Sequence, residues 1–274
     1  MKIHFIQPLV ELKPYIKSIW VFESPVGMPL LENNLAIPNG CPRLIINCDN
    51  SIASIVNGQT QQSRERNIYF VGIRDIPVQL FTTNKKTVCI GIEFYPHGAY
   101  PIFGIPMDKT ANRLFQLDIL LEKWGKNINE TVSSLENVNY KINFIERKLL
   151  ESLLKNHLQN PLVDFCVNTL KSTNGLIAVS ELENKTGYSK RYLEILFKNH
   201  IGFSPKVLAR IFRFQKFCRD WANGYNYEGV KDELYNYYYD QAHYVKEFKR
   251  MTGFSPRNFE QKVTNEFGRQ LTLH

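Results

Sequence analysis

FKNHIGFSPKVL, residues 197–208, recurs as FKRMTGFSPRNF, residues 248–259, and this pair of phrases decides how the C-terminal part of the chain is read. The offset is constant: Phe197 and Phe248, Gly202 and Gly253, and Pro205 and Pro256 are each 51 positions apart. Upstream the register holds, with Ser189 matching Asp240 as helix N-caps and Leu193 matching Tyr244. Each copy closes an apolar-faced helix with Gly-Phe-Ser-Pro. Gly suits the left-handed residue that ends a helix because it has no Cβ to clash. Pro suits the first turn of the next helix, where its missing N–H costs nothing. The repeat predicts two similar helical units in tandem.

Outward from the first copy, VSELENKT (179–186) reads as the first helix of a helix–turn–helix, with Ser180 as N-cap and Glu183 completing a capping box. Gly187 is the turn, and Ser189 caps the second helix, SKRYLEILFKNH. On that helix Leu193, Leu196, Phe197 and His200 share the inward face, and Lys190, Arg191, Glu194 and Lys198 lie opposite. A long helix from Pro205 to about Ala222 follows. Val207, Leu208, Ile211, Phe212, Gln215 and Cys218 line one side of it, and Lys206, Arg210 and Arg213 another.

Charge agrees with this organisation. From Lys185 to Arg219 nine basic residues face one acid, Glu194, so this window alone carries a charge equal to the whole chain's net +8. A basic helical patch is the electrostatic footprint of phosphate binding, with a solvated lysine face as the plain alternative. Two helix–turn–helix units joined by one helix can place two recognition helices in successive major grooves, about 34 Å apart. Arg191 is the expected base reader, since Arg pairs bidentately with guanine O6 and N7. Glu194 either accepts from a cytosine amine or orients Arg191. Ser189, Lys190 and Lys198 suit phosphates, as do Lys206 and Arg210 on the long helix.

These residues resemble the AraC/XylS-type transcriptional regulators. The resemblance covers roughly residues 161–262 and rests on TGYSKRYLEILFKNHIGFSPKVLARIFRFQKF and YYDQAHYVKEFKRMTGFSPRNF. It implies a bacterial cytoplasmic, nucleoid-associated transcription factor that binds double-stranded promoter DNA as one bipartite reader. It also implies a second recognition helix, Asp240 to Met251, with Gln241, His243 and Lys246 at base-facing positions. Two departures stand out. The tyrosines before Asp240, Tyr237 among them, stand at the second unit's turn, where the family usually has Gly and where positive φ would cost a Tyr about 1–2 kcal/mol. Glu183, and Glu233 in the second unit, fall at or beside positions where the family prefers Ala, and a carboxylate buried there would need a partner. Residues 220–274 hold seven basic and eight acidic residues, so the first unit is expected to anchor and the second to adjust.

Residues 1–111 read as β-rich. IKSIWVF, PRLIINC, SIASIVNG, RNIYFVGI, PVQLFTT and TVCIGIEFY are short apolar or alternating runs between turn signals, Asn57-Gly58 being a good hairpin turn. IPNGCPRLIIN and GIEFYPHGAYPIFGIP resemble the β-rich sensor domain often attached to such readers. From about residue 112 the period becomes helical: Leu114, Leu117, Leu120 and Leu121, then Ile142, Ile145, Leu149 and Leu153. Residues 112–160 are therefore a helical connector whose stripe packs on the β domain or forms a dimer seam, and 161–274 the tandem helix–turn–helix domain. The fold class expected is α+β in two domains, a β-barrel or sandwich followed by an all-α part.

Other chemistry is sparse. The five cysteines are scattered, with no metal spacing, and read as buried reduced thiols. His97 beside Glu93 hints at a cupin-like metal site, but no second histidine stands in register, so no metal and no cofactor are expected. No nucleophile elbow, P-loop or dinucleotide fingerprint appears, and an enzyme is not expected. No signal peptide and no membrane span are expected. Besides promoter DNA, the candidate partners are a small-molecule effector, RNA polymerase and a second copy in a homodimer. Two other readings stay open: a DNA reader whose N-terminal half is a dimerisation or interaction module, and a cupin-like enzyme. Trp20, Phe22, Arg43 and Glu93 are the residues to inspect for an effector pocket.

Overall fold

The computed structural model describes residues 1–28, 34–222, 241–256 and 258–259. Its N-terminal part is antiparallel β. The strands are β1 (Lys2–Ile6), β2 (Ile16–Ser24), β3 (Leu35–Ala36), β4 (Arg43–Asn47), β5 (Ala53–Val56), β6 (Gln59–Gln61), β7 (Ile68–Val71), β8 (Val78–Phe81), β9 (Thr87–Phe94) and β10 (Leu114–Gln116). They form a six-stranded sheet in the order β1-β2-β9-β4-β7-β10 and a four-stranded sheet in the order β3-β8-β5-β6. The β5–β6 hairpin turns on Asn57 and Gly58, both at positive φ (49° and 77°), the conformation a two-residue hairpin needs. Leu114, which the leucine periodicity assigns to a helix, instead pairs with Val71 in β10, and the helix starts at Leu117.

Strict alternation divides the large sheet. Ile19, Val21, Leu44, Ile46, Ile68, Phe70, Ile90 and Ile92 point to one side and join a helical layer in a single core. That layer is α1 (Ala99–Phe103), α2 (Leu117–Ser134) and α3 (Val138–Asn156). The Ile142, Ile145, Leu149 and Leu153 stripe of α3 is buried in this core, so it packs on the β domain. The other side carries Trp20, Phe22 and Cys89, which pack with Met28 between the two sheets. Gly91 lies opposite Trp20 in the ladder, and a Cβ there would stand 2.1 Å from the indole ring, so the ring lies directly over bare backbone.

The C-terminal part is helical: α4 (Pro161–Ser172), α5 (Val179–Thr186), α6 (Lys190–Ile201), α7 (Pro205–Ala222) and α8 (Gln241–Thr252). Asn160 caps α4 by accepting from Leu162 N and Val163 N, ahead of Pro161 in the first turn. Gly202 and Gly253, the repeat's equivalent glycines, both take positive φ, 96° and 79°. Helix α7 is buried on two sides. Leu208 and Ile211 face Gly40 of the β domain, while Phe214 and Phe217 pack against Phe248 of α8. Leu35 and Ile73 of the β domain belong to the same core as α4–α8, so the two halves share one apolar interior. Among the described residues no helix is long and apolar enough to cross a membrane.

Candidate nucleic-acid interface and the cavity behind it

Helix α6 is held at its N-terminus by two side chains. Ser189 Oγ accepts from Tyr192 N at 3.3 Å, and Glu183 Oε1 accepts from Lys190 N at 2.6 Å. Two of the amides that a helix start leaves unpaired are thereby met. Glu183 thus stays half-buried at the turn rather than in the core, where the negative charge complements the positive end of α6. Gly187 makes the turn at φ 73°. The capping box expected at Ser180 and Glu183 is not formed. Ile177 is buried, the chain turns into α5 directly after it at Val179, and Glu181 Oε2 accepts from Ala178 N at 3.0 Å.

Leu193, Phe197 and Ile201 are the buried face of α6. His200 lies beside it, its ring 4.1 Å from that of Tyr100, and Asn199 Nδ2 donates to Tyr100 Oη at 3.1 Å. The C-terminal half of α6 is therefore docked on α1, and its N-terminal half projects. Ser189, Lys190 and Arg191 are exposed there, with Glu194 half-buried, and Lys198 is exposed further along the helix. Between them stand Tyr188, Tyr192 and Ile195, the last 60% exposed, with the two tyrosine rings stacked at 4.8 Å. Sequence reasoning passed over these three, although Ile195 falls visibly off the Leu193–Phe197 face.

Lys206 is exposed in the first turn of α7. Arg210 is not on this surface. Its Nε lies 3.0 Å from Oε1 of the buried Glu247, between α7 and α8, because α8 packs over that side of α7. Lys216 pairs with Asp220 at 2.7 Å, and Arg219 Nη2 donates to Asn174 Oδ1 at 2.9 Å. The basic stripe is thus divided: Lys190, Arg191, Lys198 and Lys206 are exposed around α6 and the start of α7, and Arg219 is exposed at the far end of α7. On α8, His243 and Lys246 are exposed, and His243 Nε2 is 3.6 Å from Glu247 Oε1. The side chain of Gln241, together with Glu233, Tyr237 and Asp240, lies outside the described residues.

Between the two sheets of the β domain is a cavity of about 100 Å³. Trp20 and Arg43 line it, with Arg74, Tyr69 and apolar groups such as Ile45 and Val78. Phe22 is core rather than lining. Glu93 sits under Arg43: Arg43 Nη2 and Nε lie 2.7 and 2.8 Å from Oε1, Lys17 Nζ 3.1 Å from Oε2, and Asn39 Nδ2 donates to Oε1 at 2.7 Å. Burial works to raise the Glu93 pKa. Arg43 and Lys17, with the Asn39 hydrogen bond, outweigh it and hold the carboxyl below its ordinary range. Glu93 is committed to these cations, while His97 faces Asp164 of α4 at 3.9 Å, so the two do not form the metal pair that their proximity in sequence hinted at. The thiol of Cys41, on the same lining, is pushed up to about 11 chiefly by burial.

Residues 4–116 match a family model described as a domain of unknown function, DUF6597. The chain resembles the AraC-type regulators, with a β-rich domain at its N-terminal end. Among solved structures, ToxT from Vibrio cholerae O395 is 12% identical at a TM-score of 0.44, covering 92% of this chain and 99% of that one. The AraC-like transcriptional activator CuxR is 13% identical at a TM-score of 0.26, covering 78% of this chain and 84% of that one. A putative mannose-6-phosphate isomerase from Ralstonia eutropha JMP134 is 16% identical at a TM-score of 0.26, covering 34% of this chain and 85% of that one. No curated protein matches the sequence.

Proposed function

We propose that the protein is a sequence-specific DNA-binding transcription regulator of the AraC type, with α6 and α8 as recognition helices and the β-domain cavity as an effector site. In this reading residues 1–111 sense, 112–160 connect, 161–274 bind promoter DNA, and the protein works in the bacterial cytoplasm. The observation that carries it is the N-terminal half of α6. That half projects, is capped by Ser189 and Glu183, and presents Lys190 and Arg191; these two, and Lys198 exposed further along the helix, have no acidic partner among the described residues. Such a helix end enters a major groove with its first outward residues on base edges. Arg191 reads guanine, Ile195 offers an apolar surface to a thymine methyl, and Lys190, Lys198 and Lys206 neutralise phosphates. On α8, His243 and Lys246 take the second groove, alongside Gln241. Arg210 acts indirectly, by fixing α8 against α7 through Glu247.

The test is selection from a random duplex library at defined salt, with wild type beside Arg191→Ala. We expect Arg191→Ala to lose about 1–3 kcal/mol at one base position and to leave the melting temperature unchanged. Lys198→Ala should weaken all sequences alike and lower the salt slope by about one. A uniform, non-specific loss from Arg191→Ala would overturn its assignment as a reader.

A further inference from the structure

The cavity between the sheets contains an unbalanced charge. Arg43 is matched by Glu93, which also takes Lys17. Arg74 has no acidic partner among the described residues, and its Nη1 is buried without a hydrogen bond. Burial, and next the neighbouring charge of Arg43, push its pKa down to about 10. Trp20 Nε1 is likewise buried and unpaired. Among the described residues these are the two unpaired buried polar atoms on the cavity lining, and both are N–H donors. The basic groups of the cleft between the β domain and α4–α7 differ: Lys17 has Glu93, Lys171 lies 4.9 Å over the Tyr95 ring, and Arg219 has Asn174. Arg74 as a whole is half-buried, but a guanidinium whose Nη1 is buried with no counter-charge beside it is costly and favours an anion. The other walls, Ile37, Ile45, Val71, Val78 and Leu80, call for an apolar body. A cavity of about 100 Å³ holds roughly seven to ten water-sized groups.

We propose that this cavity binds a small monocarboxylate with an apolar body, its oxygens accepting from the Arg74 guanidinium and the Trp20 indole N–H. This deepens the effector reading above and rests on it. The segment after β7 is built to report occupancy. Arg74 and Ile76 line the cavity, while their neighbours face the helical half. Ile73 enters the shared core, Asp75 Oδ2 accepts from Arg250 Nη2 of α8 at 2.5 Å, and Pro77 lies 3.7 Å from where a Cβ on Gly253 would be. Asp75 is further tied to Asn112, which donates through Nδ2 at 2.8 Å. An anion drawing on Arg74 therefore acts one residue away from the contact that seats α8.

The experiment uses the full chain. Hexanoate and benzoate, with hexanamide and benzamide as neutral isosteres and inorganic phosphate as the bare anion, are titrated at constant ionic strength while melting temperature and Trp fluorescence are followed. We expect saturable stabilisation by the two acids and none by the amides or phosphate. Arg74→Met should weaken acid binding by on the order of tenfold or more, and should raise the melting temperature of the unliganded protein because an unpaired, partly buried charge is removed. Trp20→Phe should weaken acid binding less. Amides binding as well as acids, phosphate binding equally, no acid binding, or Arg74→Met lowering the unliganded melting temperature would each overturn the proposal. Asp75→Asn should keep acid binding but lose any acid-induced change in DNA affinity; retention of that change would overturn the route through Asp75. DNA binding is measured on the same samples. Intact DNA binding with no acid effect defeats only this inference, whereas acid binding without sequence-specific DNA binding defeats the regulator reading.

Discussion

Glu183 shows how one residue can be misjudged in a linear reading and explained by its contacts. Where a small residue was expected, its carboxylate instead accepts the first amide of α6 at 2.6 Å and couples the two helices of the unit. Glu183→Ala removes this charged acceptor and should cost about 1 kcal/mol or somewhat more, as the loss of a helix cap does. DNA affinity should fall with it, because the angle of α6 is no longer held. A melt and a DNA titration on the same variant check both, and a variant with wild-type stability and affinity would remove Glu183 from this role. Gly91 makes the opposite case. Its value is the absence of a side chain, since Gly91→Ala would force a Cβ to within 2.1 Å of the Trp20 ring. We expect destabilisation of about 1–3 kcal/mol in chemical denaturation, the usual cost of overpacking.

Among the elements, α7 departs furthest from its sequence pattern. An amphipathic reading gave it one apolar side, whereas it is buried against the β domain through Leu208, Ile211 and Gln215 and against α8 through Phe214 and Phe217. The β-domain side includes a hydrogen bond of 2.6 Å from Gln215 Nε2 to Pro38 O. Phe248 of α8 is the hub on the other side, with ring centroids of Phe214, Phe217, Tyr244 and Phe259 between 5.1 and 5.7 Å away. Phe248→Ala should cost about 3–5 kcal/mol. Amide exchange in α8 should rise well before that in α6, because α6 has its own core contacts through Leu193 and Phe197. Equal loss of protection in both helices would mean that the two units are not separable.

At the scale of the whole molecule, the halves meet through His97 with Asp164, Tyr100 with His200, and Asp75 with Arg250. Burial holds both histidines below their ordinary 6.5, with Asp164 opposing in each case. The unfolded chain therefore takes up protons near pH 6.5 that the folded chain refuses. Stability should be full above that value and fall as pH drops through 6.5 towards the folded values. Asp164 itself is raised above its ordinary 3.8 by burial, so its contribution acts at lower pH and with the opposite sign. Melts across about pH 7.5 to 5.5 should show this decline in wild type and a shallower one in His200→Gln. A flat profile in wild type would contradict the burial of these rings.

The linear sequence determined what depends on local physics. Gly at the ends of helices, Pro at their starts, the Asn57-Gly58 turn and the periods of two and of 3.6 are set by backbone sterics and by which face is apolar, and these act within a few residues. The repeat at 197–208 and 248–259 made legible the two helices that end at Gly202 and Gly253. Only the tertiary structure decided which polar groups meet. Arg210 finds Glu247 and Arg250 finds Asp75 across 37 and 175 positions, and Arg74 lines a cavity with no acidic partner among the described residues. The exact placing of Leu114 in a strand likewise followed from pairing with Val71. A charge does not state its partner in sequence, because electrostatic partnership is a matter of distance and burial that only the folded chain defines.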